Sequence, residues 1–152
     1  MLFRSFLNQL AATDGVIKSV IGKLKSSGKW DNTMVVLTAD HGISFLPTMP
    51  QRHTDFLDMG QADDIYRVPT FIKYPAQTSA AVSDCATSNL DLLPTINAVL
   101  NTETSWKFAG KALNGDCPSR TSRVVHSITG EKADMTRGFE ATKERADYYA
   151  GV

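Results

Sequence analysis

The run Thr33-Met34-Val35-Val36-Leu37-Thr38-Ala39 constrains this chain more than any other feature. It is short, continuous and rich in β-branched side chains, without polar alternation. Such a run suits a strand covered on both faces, as inside a parallel sheet. The residues before it read as a helix. Phe3, Leu7, Leu10, Asp14, Ile17, Ile21 and Leu24 recur at steps of three and four, which places them on one face. Gly28 stops that helix, and Lys23, Lys25 and Lys29 complement the carboxyl end of its dipole. Trp30-Asp31-Asn32 is the turn between helix and strand. A helix feeding a buried strand is the rhythm of an α/β fold. Asp14 interrupts the apolar stripe and reads either as a site residue or as a buried carboxylate bonded to a loop.

The strand runs into Asp40-His41-Gly42, and residues 43–67 then lack clear periodicity. An irregular stretch of about 25 residues inside a compact domain is more often functional than filler. Val68-Pro69-Thr70-Phe71-Ile72-Lys73-Tyr74-Pro75 reads as a second strand near a sheet edge, because prolines bracket it. Lys73 reads there as a strand-end surface residue. Residues 89–100 read as a helix capped by Asp91. Pro94 falls in its first turn, where the missing N–H is not required. Trp106, Phe108 and Leu113 supply an apolar patch around Gly110. Beyond residue 115 the texture turns polar, with a short strand expected at 124–128 and a weakly amphipathic helix at 134–149. The organisation expected is a main unit, residues 1–115, and a polar tail, residues 116–152.

Lys plus Arg number 16 and Asp plus Glu number 16, so the formal net charge is zero. That balance argues against a nucleic-acid binder and against a polybasic membrane-surface protein. No apolar run reaches about 18 residues, so no membrane span is expected in this chain. The first residues lack the long apolar core and cleavage site of a signal peptide. Cys85 and Cys117 form no CxxC and cannot make a zinc site alone. They are open to pairing, to remaining free or to burial as small hydrophobes.

Asp40-His41-Gly42 is the strongest chemical signal. Ligands of open α/β sheets bind beyond the carboxyl ends of the strands. A carboxylate beside an imidazole suits Zn²⁺, Mn²⁺, Ca²⁺ or Mg²⁺, and glycine lets the chain turn sharply after them. The same tripeptide also reads as an Asx-type turn closing a strand. Two donors do not complete a metal site.

An ordered set of segments resembles the sulfatase family of the alkaline phosphatase superfamily. Gly28-Lys29-Trp30-Asp31-Asn32 followed by the strand and Asp40-His41-Gly42 is similar to the family's strand ending in a metal-binding aspartate–histidine pair. Val68-Pro69-Thr70 with Lys73-Tyr74-Pro75, Leu90-Asp91-Leu92-Leu93-Pro94-Thr95, and Phe108-Ala109-Gly110-Lys111-Ala112-Leu113 resemble later family segments in the same order. Ile43-Ser44-Phe45-Leu46-Pro47, with Arg52 soon after, is similar to membrane-anchored bacterial sulfatase-like proteins. The resemblance covers residues 8–113.

The resemblance implies a fragment of the alkaline-phosphatase-like sandwich, with a mainly parallel central sheet flanked by helices. It implies a metal-dependent hydrolase of sulfate or phosphate esters. Asp40 and His41 would be ligands of a divalent ion, and Arg52 and His53 would meet the anionic substrate. An extracytoplasmic or membrane-anchored setting is the family expectation. The family's nucleophile and its acidic ligands on a first strand have no counterpart here. In Cys117-Pro118-Ser119-Arg120 proline directly follows cysteine, so it does not match C-x-P-x-R. The chain thus reads as the C-terminal half of such a domain, inactive alone and prone to self-association. The alternative is a non-catalytic α/β module derived from the fold, which binds a partner or its own copy.

Overall fold

A computed structural model describes residues 2–45, 59–83, 85–115, 124–126, 130, 132–135 and 147. The expected first helix is present as α1, Leu2–Ser26. Gly28, at φ 68°, ends it, and the Lys29 and Trp30 amides turn back onto the Leu24 carbonyl. A positive φ is open to glycine because it has no Cβ. Ile17, Ile21 and Leu24 of the stripe are half-buried, whereas Leu7 and Leu10 are exposed. Asp14 is exposed, so the expectation of a buried carboxylate there is corrected. Near the start of α1 the Phe6 ring meets that of Phe45, with centroids 5.1 Å apart.

Strand β1, Val35–Thr38, lies within the run that marked it. It pairs with β2, Thr70–Lys73, in register Val35↔Lys73 to Thr38↔Thr70. That pairing is antiparallel, whereas the sequence implied a mainly parallel sheet. An apolar run records that a strand has covered faces, but it carries no information on the direction of its neighbour. Among the described residues β1 and β2 form a two-stranded sheet. Every residue of β1 is only half-buried.

Lys73 is a structural cation rather than a surface residue. Its ammonium donates to the carbonyls of Trp30 at 2.5 Å, Thr33 at 3.1 Å and Asp31 at 3.3 Å. It also sits 5.0 Å from the Trp30 ring centroid, and Lys25 sits 5.2 Å from it. The turn leading into β1 is thereby fastened to the end of β2.

The irregular stretch contains a helix that the sequence reading missed, α2, Met59–Tyr66. Ile65 is buried, and Asp63 pairs with Arg67 one turn later at 2.7 Å. The expected third helix resolves into a 3-10 turn, Asn89–Asp91, and helix α3, Leu92–Leu100. Its cap is corrected. Ser88 accepts from the Leu90 amide, and the Asp91 carboxylate reaches back to the Ser88 amide at 2.8 Å, a reciprocal capping box. Asn101 closes α3 in the left-handed conformation, at φ 49°.

A hairpin, β3 Val124–His126 with β4 Lys132–Asp134, lies within the polar tail. Ala133 and Met135 are buried against Val125 and Tyr66. The Arg67 guanidinium donates to the Met135 carbonyl at 3.1 Å, so part of the tail is fastened to the end of α2. Asp134 lies in β4, which corrects the expected start of the last helix. Cys85 is disulfide-bonded. Among the described residues no helix is long and apolar enough to cross a membrane.

Candidate functional site

Strand β1 delivers Asp40 and His41 to its carboxyl end. The His41 amide donates to Asp40 Oδ1 at 2.9 Å, and His41 Nε2 lies 3.8 Å from Asp40 Oδ2. Imidazole and carboxylate therefore share one side of the chain. The carboxylate is 89% exposed and the imidazole 39%. His41 Nδ1 is 2.7 Å from the Gly42 carbonyl. A carbonyl only accepts, so Nδ1 donates to it, and in the neutral ring Nε2 is the nitrogen that offers a lone pair.

Gly42 is held on its other side by α2. Its amide donates to the Ile65 carbonyl at 2.7 Å, and a Cβ on Gly42 would run into the Asp64 carbonyl. Glycine is required here by a close backbone approach. Ser44 follows, fully buried, with its hydroxyl donating to the Asp64 carboxylate at 3.0 Å. Ser44 enters the sequence reading only within a family-like segment, and neither its bond to Asp64 nor the helix that presents Asp64 was legible there.

The donor chemistry of Asp40 and His41 fits two ligands of a hard or borderline divalent ion. Their 3.8 Å separation is within the reach of two metal–ligand bonds of about 2.1 Å each. Locking Nδ1 to a carbonyl is what orients a metal-binding histidine. Asp63 and Asp64 are engaged with Arg67 and Ser44. Among the described residues no group of three or more His, Cys, Asp or Glu side chains comes together. Arg52, His53, Asp55 and Asp58 lie outside the described residues.

The block behind the site is polar but satisfied. Asp91 and Thr95 are fully buried. The Thr95 hydroxyl donates to the Asp91 carbonyl at 2.5 Å and accepts from the Leu113 amide at 2.9 Å. Tyr74 donates to the Leu113 carbonyl at 2.9 Å, and burial raises its pKa above the ordinary 10.0. An open groove of about 440 Å³ runs beside this block, lined by Asn89, Leu90, Leu93, Trp106 and Phe108 among others.

The family model described as Sulfatase matches residues 2–102. The chain is 26% identical to Arylsulfatase K of Danio rerio over 103 residues, which are 68% of this chain and 19% of that protein. It is 25% identical to the Multifunctional alkaline phosphatase superfamily protein PehA of Trinickia caryophylli over 111 residues, 72% of this chain and 21% of that protein. The chain thus spans about a fifth of the length of these curated relatives. No solved structure matches it significantly.

Proposed function

The chain belongs to the sulfatase family, and from that premise we propose that it carries part of the metal site of a sulfate or phosphate ester hydrolase. Asp40 and His41 would hold the divalent ion. The observation that carries this reading is their mutual approach at the end of β1, with Nδ1 of His41 locked to a carbonyl. A bound divalent ion stabilises charge on the ester oxygens and lowers the pKa of a nucleophile. Arg52 and His53 would neutralise the anionic substrate through charge-assisted hydrogen bonds. The nucleophile and the remaining ligands would come from outside the matched segments.

The same reading places β1 and β2 in a larger, mainly parallel central sheet flanked by helices. It is supported by the half-burial of the apolar strand β1, which leaves room for further cover on both faces. An extracytoplasmic setting agrees with the disulfide at Cys85, because such bonds persist in oxidising compartments.

Calorimetric titration with Mn²⁺ or Zn²⁺, beside assays with generic aryl sulfate and aryl phosphate esters, tests the reading. We expect weak binding that Asp40→Ala or His41→Ala removes, and no turnover by the chain alone. Binding that survives both substitutions would take the pair out of the metal site. Robust metal-dependent turnover would show that this chain contains a nucleophile after all.

A further inference from the structure

We propose that Asn89 is a positioning residue that fixes the strand end from which Asp40 and His41 project; the proposal rests on the reading of that pair as metal ligands. The β1–β2 register ends at Thr38↔Thr70, so the Ala39 carbonyl lies beyond the ladder. Asn89 Nδ2 donates to that carbonyl at 3.0 Å. Its Oδ1 faces the Thr38 hydroxyl at 3.4 Å, a longer and weaker contact that orients the amide. Three residues onward the Gly42 amide is tied to Ile65. The exposed pair is therefore bracketed by one pin before it, from Asn89, and one after it, from α2.

The first pin is only as firm as what stands behind it. Asn89 opens the 3-10 turn closed by the Ser88–Asp91 capping box. The buried Asp91 carboxylate also accepts the Lys111 amide at 2.8 Å. This joint gives Asn89 a fixed base although its own side chain reaches toward the surface. Partners that orient metal ligands, without touching the metal, are worth about 10–100-fold in affinity.

The test is NMR of the full chain as wild type, Asn89→Ala and Asn89→Asp, with Asn97→Ala as a control in the same block. Asn89→Asp keeps the size but replaces the donor by a negatively charged acceptor, so its exchange readout guards against a folding defect in the alanine variant while the Mn²⁺ comparison rests on Asn89→Ala. Amide exchange at His41 and Gly42 reports the strand end without metal. Line broadening by Mn²⁺ at the His41 ring reports the ligands.

Both Asn89 variants should speed exchange at His41 and Gly42 while Val36, Leu37 and α3 keep their protection. Asn89→Ala should also weaken Mn²⁺ binding about 10-fold or more. Unchanged exchange at His41 and Gly42 overturns the proposal. Acceleration that extends through β1 and α3 also overturns it, because Asn89 would then merely hold the fold. Faster local exchange with unaltered Mn²⁺ affinity overturns its role toward the ligands. If Mn²⁺ does not reach His41 in the wild type but exchange accelerates locally, positioning stands and the metal reading alone falls.

Discussion

The Asp91 carboxylate and the Lys111 backbone amide meet at 2.8 Å across 20 residues of chain, and the carboxylate is fully buried. One oxygen takes the Lys111 amide and the other takes the Ser88 amide. Thr95 adds a parallel tie to Leu113. The segments Leu90-Asp91-Leu92-Leu93-Pro94-Thr95 and Gly110-Lys111-Ala112-Leu113 are thus one buried polar joint. A buried polar group persists only where its hydrogen bonds are supplied, and here backbone amides supply them.

Asp91→Ala strands two backbone amides at that joint. We expect a loss of about 2–4 kcal/mol, since a buried unsatisfied donor costs about 1–3 kcal/mol. Urea unfolding followed by circular dichroism measures it. A loss below about 0.5 kcal/mol would mean that water replaces the carboxylate without penalty.

Gly110→Ala attacks the joint from the other side. A Cβ there would collide with the backbone carbonyl of Leu90 and crowd the Asp91 amide. Backbone atoms cannot swing aside as a flexible side chain can, so the loss should reach about 1–3 kcal/mol or more. An unchanged melting temperature in the variant would contradict the close approach.

The legible part of this fold is the part written in local periodicity and stop signals. The three-and-four stripe from Phe3 to Leu24, with Gly28 after it, was sufficient to mark α1. The β-branched run marked β1, and its abrupt end marked Asp40 and His41. Helix α2 was illegible because Met59–Tyr66 is only two turns long and carries Gly60 and two aspartates, which mask the spacing of Met59, Ala62, Ile65 and Tyr66; Ile65 burial and the Asp63–Arg67 pair support it. The Ser88-x-x-Asp91 spacing of a capping box is present in the sequence, but an aspartate just ahead of an apolar run mimics an N-cap by itself. Strand direction and the reach of Asn89 to Ala39 join residues 32 to 51 positions apart, and no local pattern encodes them.

Lys73→Met should lower stability by about 1–3 kcal/mol, because a charged donor to backbone carbonyls is lost while the apolar stem is kept. Lys73→Arg should restore it only in part, since a planar fork does not reproduce three converging donations from one ammonium. Thermal melts measure both variants, and Trp30 fluorescence reports the turn. Equal melting temperatures for all three proteins would demote Lys73 to the surface.

Tyr74 makes the fold sensitive to alkali. Burial raises its folded pKa above 10.0, so the folded state holds the phenolic proton where the unfolded state releases it. Its contribution is fully present below pH 10.0 and is lost as the pH rises through the higher folded value. Stability should fall from about pH 10 upward, and Tyr74→Phe should flatten that fall while lowering stability at neutral pH through the lost bond to Leu113. Parallel slopes for the two proteins above pH 10 would remove Tyr74 as the cause.

Metal and self-association form one last, linked prediction. Among the described residues two donors gather at the end of β1, and a divalent ion held by them would have few bonds through which to favour the folded state. Stabilisation follows RT ln(1 + [L]/Kd), so a millimolar site yields under about 1 kcal/mol at about 1 mM ion. Among the described residues β1 and β2 each leave one strand edge without a ladder partner, and Phe71, Leu93 and Trp106 are 62%, 50% and 70% exposed. Unpaired edges beside exposed apolar side chains template pairing with another chain. We therefore expect light scattering that grows with protein concentration, and a melting temperature that barely responds to Mn²⁺ or Zn²⁺. Asp40→Ala should leave the scattering unchanged, because the strand edges and the Asp40–His41 pair are separate features. A monodisperse monomer whose melting temperature climbs steeply at micromolar metal would show instead a complete ligand set within this chain.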